Sequence, residues 1–140
     1  MIIDSHTHIW PRWPYQPPVP DPGSRGSFEN LLFEMDFNGV DKAVLINARI
    51  QLSDDNNDYG AQAVASHPDR FLNVVDVDSR WGADYHRPGA ADRLRLLVDR
   101  YHPDGLSHYL GPDNDGWLTS PEAKAFFAVA AEHGLVVSLA

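Results

Sequence analysis

Two histidines near the start of the chain carry the strongest chemical signal. Asp4-Ser5-His6-Thr7-His8 follows directly on Ile2-Ile3. Side chains alternate faces along a strand, so His6 and His8 point the same way. Two neutral imidazoles facing one way can hold one divalent cation between them. Polar residues that merely end a strand would leave the same pattern. The apolar run directly before the pair favours the ligand reading. A third histidine, His108, closes the run Gly105-Leu106-Ser107-His108. The chain has no cysteine, which excludes disulfides, zinc–thiolate sites and thiol nucleophiles. Any metal is therefore left to His, Asp and Glu.

These residues need elements to position them. Five short apolar runs read as strands, over residues 2–7, 42–47, 71–77, 105–110 and 135–140. Ala43-Val44-Leu45-Ile46 and Leu135-Val136-Val137 are apolar without alternation, which suits strands buried on both faces of a parallel sheet. Helical patterns fall between the strands. Phe28, Leu31, Leu32 and Met35 are spaced i, i+3, i+4 and i+7, with Ser27 as N-cap and Gly39 as stop. Residues 58–66 form a shorter helix, halted before Pro68. Ala91, Leu94, Leu97, Val98 and Tyr101 make a third stripe. Ser120-Pro121-Glu122 opens a fourth helix that runs to Gly134. The order reads β-α-β-α-β-α-β-α-β.

His67-Pro68-Asp69-Arg70-Phe71 and His102-Pro103-Asp104-Gly105-Leu106 punctuate two helix-to-strand joints alike, and His133-Gly134 marks a third. The strand-to-helix loops are long, over 9–26, 48–57, 78–89 and 111–119. Loops at that end of the strands are where parallel α/β enzymes build their sites. Residues 11–22 hold six prolines and read as an extended, rigid loop. Position in this repeat sorts the histidines. His6, His8 and His108 lie at strand C-terminal ends and are site candidates. His67, His102 and His133 end helices, where an imidazolium complements the helix dipole, and are structural. His86, inside a long loop, stays open. Asn47, Arg49, Asp76, Asp78 and Arg80 are nominated as rim or pocket residues, with solvated loop polars as the competing reading. Trp10, Trp13 and Tyr15 either wall a pocket or pack on the rim.

Ile2-Ile3-Asp4-Ser5-His6-Thr7-His8-Ile9-Trp10 resembles the first strand of amidohydrolase-related (β/α)₈ barrels. Leu31-Leu32-Phe33-Glu34-Met35-Asp36 with Asn38-Gly39-Val40-Asp41-Lys42-Ala43-Val44-Leu45 is similar to that family's first helix and second strand. Asn57-Asp58-Tyr59 with His67-Pro68-Asp69-Arg70-Phe71 is similar to its second helix and third strand. Gly105-Leu106-Ser107-His108, Trp117-Leu118 and Ala130-Ala131-Glu132-His133-Gly134-Leu135 resemble the branch of sugar-lactone and dicarboxylate-lactone (2-pyrone-4,6-dicarboxylate) hydrolases. The resemblance covers the whole chain. It implies an α/β chain carrying the first five strands and four helices of a (β/α)₈ barrel. A complete barrel of this type takes about 250 residues, so the resemblance also implies one partial barrel domain over residues 1–140, cut short at its C-terminus.

The activity implied for the full-length protein is hydrolysis of a small lactone or related ester-like bond, and the 140-residue chain alone is expected to be inactive. His6, His8 and His108 are the expected catalytic residues. His6 and His8 are the expected ligands of one divalent metal, zinc first, with metal-independent hydrolysis as the alternative. Trp10, Asn47, Arg49 and Asp78 are expected to touch substrate. Two other readings stand beside this one: metal-dependent non-oxidative decarboxylation of an aromatic or unsaturated acid, and a truncated chain without activity. The chain also departs from the family pattern. Ser107 stands where the branch often has an arginine for a substrate carboxylate. Ala140 stands where many relatives carry a metal-binding histidine, which counts against decarboxylation. The lysines are Lys42 and Lys124, neither placed to bridge two metals, so one ion is expected.

Composition bounds the partners. Asp plus Glu total 20 against 11 Lys plus Arg, a net charge of −9. A nucleic-acid or anionic-membrane partner would need a basic face. The expected partner is a small-molecule substrate. Met1 leads straight into the first strand without a basic leader or long apolar run, so neither a signal peptide nor a membrane span is expected, and the cytoplasm is favoured. A sheet ending on Leu135-Val136-Val137-Ser138-Leu139 leaves an apolar edge, which makes a homo-oligomer a further expectation.

Overall fold

The computed structural model describes residues 1–50, 53 and 55–140. Its elements alternate strictly: β1 (Ile3–Thr7), α1 (Phe28–Asn38), β2 (Lys42–Ile46), α2 (Asn56–Ser66), β3 (Phe71–Asp76), α3 (Ala90–Tyr101), β4 (Gly105–His108), a 3₁₀ turn (Trp117–Thr119), α4 (Pro121–Glu132) and β5 (Val136–Leu139). The strands are ordered β1-β2-β3-β4-β5. Sequential order with a helix between neighbours is the βα repeat of a (β/α)₈ barrel. The 3₁₀ turn is the one element the hydrophobic pattern does not announce. Gln51, Leu52 and Asp54, within the loop expected over 48–57, lie outside the described residues.

Local chemistry sets the helix ends. Ser27 Oγ accepts from Asn30 N at 3.2 Å and opens α1. Gly39, at φ 69°, closes α1 with its N–H on Asp36 O and Met35 O, a conformation that costs glycine little. Ser120 Oγ accepts from Ala123 N at 3.1 Å, with Pro121 at the first helical position of α4. α3 starts at Gly89 and has no capping side chain of its own. Glu122 Oε1, from α4, instead accepts from Gly89 N at 2.9 Å and Ala90 N at 2.8 Å. His67, His102 and His133 are the C-caps of α2, α3 and α4, the helix ends assigned to them from sequence.

The chain forms two compact units, Met1–Val74 and Val75–Ala140, divided within β3. In the first, β1 pairs parallel with β2, and β2 with β3 from Ala43↔Phe71 to Ile46↔Val74. Ile9, Phe28, Met35, Leu45, Ala63 and Phe71 form its core. In the second, β4 pairs parallel with β5, and Val77 N donates to Ser107 O at 3.1 Å. Its core holds Val75, Leu94, Val98, Leu106, Phe126 and Val129. Burial on both faces holds for most of β2, β3 and β4 but fails for β1 and β5. Ile2 and Ile3 are 57% and 43% exposed, Val136 and Leu139 70% and 52%. These strands stand last in the order, so each has one strand neighbour.

Candidate functional site

In the first unit the site begins with an irregularity. The β1–β2 register shifts between Asp4 and Thr7, and His6 N donates to Asp4 Oδ1 at 3.1 Å. Bulges of this kind re-aim side chains. The His6 and His8 rings meet edge to face, centroids 5.0 Å apart. His8 Nδ1 lies 2.6 Å from Ile46 O. A carbonyl only accepts, so Nδ1 carries the proton and Nε2 of neutral His8 keeps its lone pair. Burial lowers the His8 pKa, the Ile46 bond opposes this, and His6 lowers it further. The tautomer of neutral His8 is thereby set.

Trp10 stacks beside His8 at 5.8 Å and is itself buried. Its seat requires Gly26, where a Cβ would come within 2.9 Å of Trp10 Cδ1. Tyr15 meets both Trp10 and Trp13 edge to face. Asn47 is no rim residue. It is buried, its Nδ2 donates to Asn73 Oδ1 at 2.8 Å, and a Cβ at Gly60 would sit 2.4 Å from its Oδ1. Arg49 is half-buried. A cleft of about 690 Å³ lies at the opposite, N-terminal ends of β2 and β3. Arg70 there pairs with Asp36 and donates to the Asp41 and Val40 carbonyls, which is a structural tie.

In the second unit His108 ends β4, fully buried. Its side chain shares the Leu106 face, which packs on the helices. The ring lies 5.5 Å from Phe126 of α4 and 5.1 Å from Trp117. Alternation thus turns Ser107 away from the helices and His108 toward them. His108 Nδ1 donates to Val77 O at 3.1 Å, and its Nε2 is 3.2 Å from His86 Nε2. Burial lowers the His108 pKa, with the Val77 bond and Asp78 opposing. His86 lies between Tyr85 and Trp117, centroids 3.7 and 4.2 Å away. Its Nδ1 bonds the Asp115 carboxylate, and this bond holds the Asp115 pKa below the usual carboxylate range.

Asp78 is buried rather than on a rim. Its Oδ1 accepts from Arg93 Nη2 at 2.6 Å, and both oxygens face His86 N. Asp76 is buried too. Arg80 lies over the Trp81 ring at 4.7 Å. Tyr85, His86, Leu110, Asp113, Asp115 and Leu118 border a cleft of about 240 Å³. Asp78, His86 and His108 together offer donor atoms within 4.8 Å of one another. Sequence reasoning left His86 open and passed over Asp115 and Trp117. The available signal was that two successive strand-to-helix loops each carry an Asp and a large aromatic ring.

The comparisons agree with this architecture. The amidohydrolase family model matches residues 3–140. A probable 2-pyrone-4,6-dicarboxylic acid hydrolase of Acinetobacter baumannii, solved with citric acid, superposes with a TM-score of 0.68. It is 18% identical, over 99% of this chain and 48% of that one. A 4-oxalomesaconate hydratase of Rhodopseudomonas palustris gives 0.63 at 19% identity, over 98% and 51%. A 5-carboxyvanillate decarboxylase of Novosphingobium aromaticivorans, solved with manganese and a nitrobenzoic acid, gives 0.64 at 18%, over 98% and 49%. No curated protein matches the chain. The chain belongs to the amidohydrolase family and has part of its (β/α)₈ fold. It carries five strands and four helices of that fold and spans about half the length of these solved relatives.

Proposed function

We propose that this chain serves a hydrolase acting on a small lactone or related ester-like bond, with one divalent cation, zinc first, held by His6 and His8. The observation that carries the reading is the His8 tautomer. Its Nδ1–H is committed to Ile46 O, which leaves Nε2 basic beside the His6 ring. Metal-ligating histidines are oriented in this way by an acceptor on the second nitrogen. A cation bound there would supply Lewis acidity toward a carbonyl oxygen. Trp10 holds the His8 ring in place, and with Tyr15 gives the neighbouring loop an aromatic wall against which a small ring can lie. Hydrolase chemistry is supported by family membership and by the dicarboxylic acid hydrolase of the same fold. The manganese-bound decarboxylase of that fold keeps carbon dioxide release as the second reading.

A cation held by two protein ligands is held weakly, since catalytic zinc sites normally use three. The chain is therefore tested at saturating manganese or zinc against a panel of small lactones and of aromatic acids. Weak zinc binding lost in His8→Ala, with little or no lactone turnover by this chain alone, is the expected result. Carbon dioxide release lost in the same variant would establish the second reading. Turnover that His8→Ala leaves intact would overturn both.

A further inference from the structure

The two facing histidines of the second unit raise a question of proton count. Val77 O can only accept, so His108 Nδ1 carries a proton. The Asp115 carboxylate likewise accepts a hydrogen bond from His86 Nδ1–H. When neutral, both rings then present Nε2 lone pairs, and those two atoms lie 3.2 Å apart. Facing lone pairs repel, so something positive belongs between them: a third proton or a metal cation. Two nitrogens each 2.0–2.1 Å from a tetrahedral zinc are about 3.3 Å apart, close to the separation found.

A third donor favours the metal. The Asp78 carboxylate and one ring nitrogen from each of His86 and His108 lie within 4.8 Å of one another. Arg93 occupies its Oδ1 and leaves Oδ2 with only a long contact to His86 N. Both histidines are oriented on their second nitrogen, one by a carbonyl and one by a carboxylate, as metal ligands usually are. Asp113 and Asp115 line the adjoining cleft of about 240 Å³, a favourable approach for a cation.

We infer that the second unit carries a zinc-type cation site of its own, with His86 Nε2, His108 Nε2 and the Asp78 carboxylate as ligands. Asp115 and the Val77 carbonyl orient the two rings, and Trp117 and Tyr85 clamp His86 between them. This site does not depend on the function proposed for His6 and His8.

The test is zinc titration of the untagged 140-residue chain by calorimetry, with cobalt substitution as a spectroscopic readout. One equivalent should bind tightly, beside the weak binding expected of His6 and His8, with the visible absorption of tetrahedral cobalt. His86→Ala should weaken zinc at least about 100-fold, and Asp115→Asn about 10–100-fold, the range for lost orienting partners. His6→Ala with His8→Ala should leave this binding unchanged. Asp115 is 46% exposed, so Asp115→Asn decides the matter if His86→Ala fails to fold by circular dichroism. No zinc binding, or binding that survives both His86→Ala and Asp115→Asn, would overturn the site and leave a shared proton between the rings. Binding lost only in the His6 and His8 variant would also overturn it, while supporting the function proposed for that pair.

Discussion

His8 and His108 are held by one device used twice. Each ends or follows a strand and donates Nδ1–H to a carbonyl at or just past the end of the neighbouring strand, Ile46 O for His8 and Val77 O for His108. The chain of the βα repeat brings a strand end beside each histidine, so the tautomer follows from the topology. That His6 and His8 are a pair was legible from period-two spacing alone. That Asp78 is buried and ion-paired was not, because Arg93 lies on the following helix. Tyr59 offers a test at the same scale. Its hydroxyl accepts from Phe28 N at 3.3 Å; burial raises its pKa, the Phe28 bond opposes this, and Glu29 adds to the rise. A raised folded-state pKa gives stability that is fully present below the unfolded tyrosine value, about 10, and is lost as pH rises through the folded value. Denaturant midpoints should fall above about pH 10, and fall less steeply in Tyr59→Phe. Equal alkaline losses in the two chains would refute this role for Tyr59.

Among the elements, the sequence announced the helices well because their ends are local chemistry. Ser27, Gly39, Ser120 and Pro121 act within one turn of themselves. The start of α3 was less legible. Its backbone donors at Gly89 and Ala90 are satisfied by Glu122, more than thirty residues away on α4. In sequence Glu122 reads only as a first-turn acid of its own helix. Glu122→Ala removes the acceptor of two backbone N–H groups, and losing a cap typically costs about 0.5–2 kcal/mol. Thermal melts should show that loss, with hydrogen exchange accelerating at Gly89 and Ala90 before the rest of α3. Unchanged exchange there would mean that water serves these donors equally well. α2 likewise begins at Asn56, two residues before its apolar pattern. The Asn56 side chain bonds Ala48 N and Ile9 O, contacts that no periodicity encodes.

For the whole molecule, the apolar runs of β1 and β5 remain partly in solvent. Unpaired strand edges with exposed Ile2, Ile3, Val136 and Leu139 are templates for pairing with another chain. Among the described residues no helix is long and apolar enough to cross a membrane. Self-association is the expected outcome. Light scattering at micromolar concentration should show species larger than one chain, shifted toward the monomer by Val136→Lys. A monodisperse monomer before any substitution would mean that these edges are not adhesive. The sequence by itself determined the strand–helix alternation, the helix ends and the pairing of His6 with His8, because each depends on neighbours within a few residues. Only the tertiary structure decided the β1 bulge, the turn of His108 toward the helices onto Phe126 and the meeting of Asp78, His86, His108 and Asp115. Those depend on which loops two successive strand ends bring together, and no residue spacing along one segment records that.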